Sequence, residues 1–255
     1  MNVIAVSALI GLTAGIFGGL VGLGGGVVMI PLMVSLRKLG QHSAHGTSLV
    51  ALVFTGIIGA FTYAIHNSID IRAAVLIGAA ALWPARLGAK YCCGFPEPKL
   101  KKAFGIFLIV ISVFFLVKSY LPSVFHPDEV WVRTLILLAT GAATGFVSGF
   151  MGVGGGPVMI GGMVLLAGMD QYTAQGSSLL AMAPAAAVGA YTHWQMGTVE
   201  KSLLPGLIPG IIIGTFAGGS FAHLLPESTL RMIFAVVLIW TGSQMIKTSS
   251  KTSCQ

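Results

Sequence analysis

The chain has little charge. Charged residues make up 8% of its 255 positions, against 55% hydrophobic ones. A soluble domain carries about 25% charged residues, so a soluble class is excluded. Acids are scarcest, with 7 Asp and Glu against 14 Lys and Arg. Asp70, Glu97, Asp128, Glu129, Asp170, Glu200 and Glu227 all stand between long apolar runs or at their ends. With no carboxylate in mid-membrane, a carboxylate proton relay is excluded. Histidine remains as the group that titrates near neutral pH. A cavity without negative charge also suits an anion. The three cysteines build no framework. Cys92 and Cys93 are adjacent, Cys254 lies in the tail, and none has metal-ligand spacing. Paired catalytic acids, H-E-x-x-H and G-x-S-x-G are missing as well, which excludes the common intramembrane enzyme classes. No catalytic residue, metal or cofactor is expected.

What the chain does have is long apolar sequence. Mean hydropathy is +0.92. The runs 46–65, 73–92 and 103–121 each approach the roughly 20 residues that cross a bilayer. Runs 176–195, 203–224 and 232–246 match them in the second half, and 3–21 and 132–151 open the two halves. The first run has no basic flank before it and no clear cleavage site after it, so it reads as a retained helix. A net charge of +7 would suit nucleic acid, but the basic residues sit at the ends of apolar runs. Lipid headgroups and topology account for them, and no nucleic-acid partner is expected.

The chain also repeats itself. GGLVGLGGGVVMIPLMV at 18–34 returns as SGFMGVGGGPVMIGGMV at 148–164, an offset of 148 − 18 = 130 residues. Without a gap, Gln41 maps to Gln171, Gly46-Thr47-Ser48 to Gly176-Ser177-Ser178, Asp70 to Glu200, and Phe104 to Phe234. The expected fold is an all-α polytopic membrane protein of two repeats with Gly-broken helices: 1–121, a linker at 122–130, and 131–255.

Two topologies compete. Segment 3–36 would reach about 51 Å as one helix, too long for one crossing and too short for two full ones. If the stretch after the glycines completes a crossing, each half crosses five times and the halves are inverted. If it re-enters and returns, each half crosses four times and the halves are parallel. In the first case Arg37, Lys38, Arg86, Lys90, Lys99, Lys101, Lys102, Lys201, Lys247 and Lys251 share one side. Arg72, Lys118, Arg133 and Arg231 hold the other. The second case divides them almost evenly. Lys and Arg collect on the cytoplasmic side, which favours inverted repeats with both termini in the cytoplasm.

Three successive glycines cost a helix about 1 kcal/mol each relative to alanine. Backbone groups freed inside a membrane must be buried in protein or line a water-filled path. Gly24, Gly25, Gly26 and their mates Gly154, Gly155, Gly156 are therefore expected at membrane depth. A short helix can start after each, at Val27 or at Pro157, and proline suits a first helical position. Such a start offers unpaired N–H groups and the positive end of a dipole, which suit an anion. Paired broken helices at matching places point to a transporter site. Close helix contact is the plainer use of the same glycines. A dinucleotide fingerprint is excluded, because Val27 and Pro157 stand where its last glycine belongs.

The second duplicated element is QHSAHGTSL at 41–49 and QYTAQGSSL at 171–179. Ser43 and Thr173 suit helix caps. Thr47, Ser48, Ser177 and Ser178 suit a cavity wall, with back-bonding to helix carbonyls as the alternative. His45 and its mate Gln175 can each donate a hydrogen bond. His66 and His193 lie near the far ends of the following runs, and His193 is a candidate for the pathway. Arg86 stands well inside a run, one turn from Lys90, and snorkelling accounts for it.

At these residues the chain resembles the TauE/SafE family of sulfite exporters and related anion permeases. The resemblance covers nearly the whole length. It rests on the duplicated G-x-GGG elements, the two Q-x-x-A-x-G-x-S-L elements, and the Pro-Glu-x-x-Leu turns at 96–100 and 226–230. It implies export or uptake of small sulfur anions such as sulfite, thiosulfate or sulfoacetate, without choosing among them. It implies a multi-pass protein of the cytoplasmic (inner) membrane with a small anion and the lipid bilayer as partners. A homodimer is left open. A passive channel, or a permease for another small organic anion, is the alternative. The second copy departs from the first, with Pro157 and Gly161-Gly162 where the first has Val27 and Pro31-Leu32.

Overall fold

The computed structural model describes residues 3–92, 97–118, 130–151 and 155–252. The linker residues 122–129, Pro96, Cys93, Cys254 and Gly154 lie outside them. Among the described residues all regular structure is helical. In chain order come α1 (Val3–Val21), α2 (Gly26–Arg37), α3 (Gln41–Ile65), α4 (Ile71–Cys92) and α5 (Glu97–Lys118). Then follow α6 (Val130–Met151), α7 (Gly156–Gly161), α8 (Gln171–Gln195), α9 (Leu204–Ala222) and α10 (Glu227–Thr252). A π-helical turn, Gly162–Leu166, continues α7, and a 3-10 turn, Lys201–Leu203, leads into α9. Among the described residues, the segments Val3–Val21, Ser43–Ile65, Val130–Ser148 and Lys201–Ala222 are long and apolar enough to cross a membrane. Large apolar side chains such as Phe61, Trp83, Trp131 and Ile213 are exposed. An outward apolar face is what lipid covers.

Helix α3 starts earlier than the apolar run that marks it. Gly40 is its N-cap and makes no side-chain hydrogen bond. Ser43 and Thr173 therefore lie inside the first turns of α3 and α8, and Ser43 is not the cap. At their other ends the two helices close alike. Asn67 (φ 54°) and Gly197 (φ 68°) take the left-handed conformation. Asn67 N–H donates to Ala64 O (3.0 Å) and Ser68 N–H to Tyr63 O (2.9 Å). Gly197 N–H donates to Trp194 O (3.2 Å) and Thr198 N–H to His193 O (3.1 Å). Both are Schellman-type closures, and Asn is the usual substitute for Gly there.

The chain divides into two compact units, each drawing on both sequence halves. The first comprises Met1–Gly78 and Tyr172–Leu225. In it α1 and α9 run in the same direction along two glycine ladders. Gly11, Gly15 and Gly19 meet the backbone of residues 207–219, and Gly206, Gly210, Gly214 and Gly218 meet that of residues 4–16. Small residues every fourth position let two helix backbones touch, and in lipid this packing replaces the missing hydrophobic drive. A Cβ at Gly15 would lie 2.8 Å from Ile211 O and 2.9 Å from Thr215 N. Gly15→Ala is expected to cost about 1–3 kcal/mol, the usual range for overpacking. Gly40→Ala, with nothing within 4 Å of its Cβ, should be near neutral. Thermal unfolding of the two variants in detergent checks the difference.

Helix α3 runs with α1. Ala44 and Ala51 share a buried core with Val6, Ile10 and Ala14, while Tyr63 reaches Gly19 at the other end. Helix α8 runs the opposite way. Gly46 faces His193 and Thr198, Gly56 faces Ala183, and Gly176 faces Tyr63 and Ile69. Helix α2 turns back along α1. Gly25 lies against Ala14, and Met29 and Met33 enter the core with Ile10 and Val6. The stretch after the first glycine run thus returns toward the start of α1.

The second unit comprises Ala79–Gln171 and Pro226–Gln255. Helices α5 and α10 touch at Gly105 and Gly242, and α6 meets α4 where Gly145 faces Ala81. Helix α7 begins at Gly156, one residue before the expected Pro157, which stands in its first turn. The Glu227 carboxylate accepts from Gln171 N–H (3.1 Å) and from Arg231 (2.6 Å).

Candidate glycine-break anion site

The site is built on the link from α1 to α2. Gly22, Gly24 and Gly25 have φ of 73°, 79° and 76°. A side chain in that region places Cβ against the following carbonyl, so the turn needs glycine. Gly22 N–H still donates to Gly18 O (2.9 Å). Gly25 O then accepts from Val28 N–H (3.1 Å) and Met29 N–H (2.9 Å), which starts α2. A Cβ at Gly24 would meet Leu52 and Met182. Those residues lie near the middle of α3 and α8, each of 25 residues. Helix α2 therefore begins at mid-depth of the first unit, with its positive end beside the break.

A polar wall stands against that break. Gln175 is fully buried, and its Cβ and Cγ lie where a side chain on Gly22 would go. Its Oε1 accepts from Tyr63 Oη (2.8 Å). Its Nε2 is buried and finds no partner among the described residues. Tyr63 Oη also lies 3.0 Å from Gly19 O. A phenol has one proton for these two acceptors. When Gln175 takes it, the amide is held with its N–H₂ as the unpaired donor. Ser178 Oγ lies 3.0 Å from Gly22 O and 2.8 Å from Gln175 O, so it pins the break to α8. Thr215 Oγ1 on α9 is a further buried hydroxyl with no partner among the described residues. An unpaired buried polar group costs about 1–3 kcal/mol, and a ligand can recover that cost.

The expected hydroxyls divide into two sets. Thr47 Oγ1 donates to Ser43 O (2.7 Å) and accepts from Glu200 N–H (2.9 Å). Its repeat mate Ser177 accepts from Asp70 N–H (2.9 Å). Mates thus tie each helix to the connection that follows the other, and both oxygens serve structure. Ser48 Oγ back-bonds to His45 O (2.8 Å), and His45 is half-buried. His193 Nδ1 is 2.8 Å from Thr198 Oγ1, at the opposite end of the unit from Tyr63. Gly24, Gly25, Gly26, Gln175 and Ser178 therefore gather at the break, while Thr47, Ser48, Ser177, His45 and His193 lie around it or beyond.

The second glycine run differs. Gly155 and Gly156 belong to the second unit. Gly155 has φ −88°, ordinary for any residue, and its missing side chain faces Thr144. Helix α7 spans only 6 residues before the π-helical turn. The departure at Pro157 and Gly161-Gly162 has this structural counterpart.

Sequence reasoning passes over the aromatic side of the site. Tyr63 looks like an ordinary residue of an apolar run, and Tyr172 stands in the second duplicated element opposite His42 without a role of its own. His223 sits in a connection and attracts no motif. The available signal was the repeat, since Tyr63 holds the same place as His193. In the structure the Tyr63 and His223 rings meet edge to face at 4.6 Å. His66 stacks on His223 at 4.0 Å, and Tyr172 stacks on it at 5.3 Å.

The sulfite exporter TauE/SafE family matches residues 7–245 of the chain. A probable membrane transporter protein of Bacillus subtilis, YunE, is 27% identical over 94% of this chain and 96% of its own. YdhB, from the same organism and described in the same words, is 26% identical over 85% and 89%. The probable membrane transporter protein MJ0441 of Methanocaldococcus jannaschii is 33% identical over 60% and 58%. No solved structure matches. With the apolar spans, the match and the relatives' descriptions place the chain among membrane transporters: it belongs to the sulfite exporter TauE/SafE family.

Proposed function

We propose that the chain is a multi-pass secondary transporter of the cytoplasmic membrane that moves a small sulfur-containing anion: sulfite, thiosulfate or an organosulfonate such as sulfoacetate. The observation that carries this reading is the unpaired Gln175 amide against the left-handed break before α2. The Gln175 side chain lies against Gly22, just before the start of α2 at Gly26, and the first unit's spans carry no carboxylate. Such a site suits an oxyanion and repels a cation. The family's description names sulfite exporters, which favours sulfur oxyanions over other small anions.

Inverted repeats fit this reading. Helix α2 returns along α1, which supports five crossings in each half. The mates α3 and α8 run antiparallel, as a two-fold axis in the membrane plane would place them. Arg37, Lys38 and Lys201 then share one end of the first unit, with Arg72 at the other, consistent with a cytoplasmic first end. Alternating access would come from rocking of one set of helices against the other.

Purified protein in liposomes tests the reading. Transport of labelled sulfite, thiosulfate or sulfoacetate should saturate, and excess unlabelled anion on the far side should accelerate label entry. Flux that rises linearly with concentration and shows no counterflow would instead identify a passive channel.

A further inference from the structure

The ring cluster at one end of the first unit has a use that the anion site alone does not supply. His66 and His223 cap the C-termini of α3 and α9. His66 Nδ1–H donates to Thr62 O (2.9 Å) and His223 Nδ1–H to Gly219 O (2.8 Å). Each neutral ring therefore carries its proton on Nδ1 and offers Nε2 as an acceptor. His223 Nε2 faces Ser68 Oγ at 3.2 Å. The rings lie nearly parallel, 16° apart, with centroids 4.0 Å from each other. Two neutral imidazoles can stack so, whereas two imidazoliums at that separation repel.

The pair connects directly to the site. His223 touches the Tyr63 ring, and Tyr63 Oη holds Gln175. The connection after His66 covers the same place, since Gly176 lies against Ser68 O and Ile69. The titratable groups around His223 are His66 and Tyr63 on α3 and Tyr172 on α8. Tyr172 donates its hydroxyl proton to Leu225 O. Asp70 stands in the same connection, its carboxylate accepting from Ala73 N–H (3.0 Å). His66 is exposed and His223 half-buried, so protons reach the pair from outside.

We propose that the stacked His66–His223 pair is a proton-operated latch over Gln175, closed when both rings are neutral and parted by protonation, which turns the mouth of the break positive for an incoming anion. This rests on the anion-transport reading above. Both helix C-termini favour a cation. Against that, burial first, and then the neighbouring His66, hold the His223 imidazole below its ordinary value, while its hydrogen bond to Gly219 pulls the other way. The His223 ring is thus neutral at neutral pH, and the latch answers to acid.

Wild type and the His66→Gln/His223→Gln double variant, reconstituted in liposomes, test the latch. Thiosulfate and sulfoacetate are the probes, because their own charge is constant between about pH 5 and 8, where histidine titrates. Wild-type flux should be several-fold faster at the acid end, and the double variant should show a flat profile. The same acid acceleration in both proteins would overturn the latch. If neither probe moves in wild type, the transport reading fails separately. The latch is then read from maleimide labelling of a Gln175→Cys reporter, with Cys92, Cys93 and Cys254 replaced by serine. Labelling at the acid end should be faster with the histidines than in the double-variant background, where the reagent's own pH dependence is the same. Equal rates would overturn it.

Discussion

Gly25→Ala is expected to leave less than a tenth of the wild-type transport rate per folded molecule. Two costs combine at this position. The residue has φ 76°, and an L side chain there costs about 1–2 kcal/mol. The added Cβ would also run into Ala14 O, a backbone atom of the buried face of α1. Overpacking of that kind costs about 1–3 kcal/mol. Ala14 cannot yield without moving α1, and α1 is locked to α9 along the glycine ladder. The break is the part that gives way, and with it the start of α2. Gly155→Ala should be milder, because only the overpacking cost applies: Gly155 has an ordinary φ, and its Cβ would meet the buried Thr144 side chain. Liposome flux normalised to monodisperse protein checks both variants, with Gly40→Ala as the neutral control. A Gly25→Ala protein that transports like wild type would show that the break does not shape the site.

Gln175→Leu should part stability from function. The side chain is fully buried and one end of its amide is unpaired. Leucine has a similar volume and no polar atom to leave unsatisfied. Tyr63 Oη keeps Gly19 O as its acceptor at 3.0 Å. The empty protein is therefore expected to be as stable as wild type or up to about 1–3 kcal/mol more stable, the cost of one orphaned polar group. Anion binding should be lost, since the buried amide donor of the side chain that lies against Gly22 is gone. A residue kept for binding at the expense of stability behaves this way.

Some of this was legible in the chain and some was not. The repeat marked the break, and the glycines at 22, 24 and 25 proved to be the left-handed ones. Apolar runs located the helices, but not the start of α3 at Gln41, because polar residues of a first turn look like a loop. Hydroxyls were harder. Thr47 and Ser177 look alike as cavity groups or as ties, and only their partners at Glu200 and Asp70, far along the chain, decide. The ring cluster was invisible for the same reason. His66, Tyr172 and His223 meet across large sequence distances, and no local pattern encodes such a meeting. Division of the chain was also not local, since each compact unit takes segments from both repeats.

The most direct measurement is a thermal-unfolding comparison of purified wild type and Gln175→Leu with sulfite, thiosulfate, sulfate, sulfoacetate and taurine, using chloride as the control. A ligand that binds only the folded state at about a hundred times its Kd stabilises by about 2.7 kcal/mol. At least one sulfur anion should raise the wild-type midpoint above the chloride control and leave that of Gln175→Leu unmoved. An equal rise in both proteins, or no rise with any of the anions, would contradict an anion site at the glycine break.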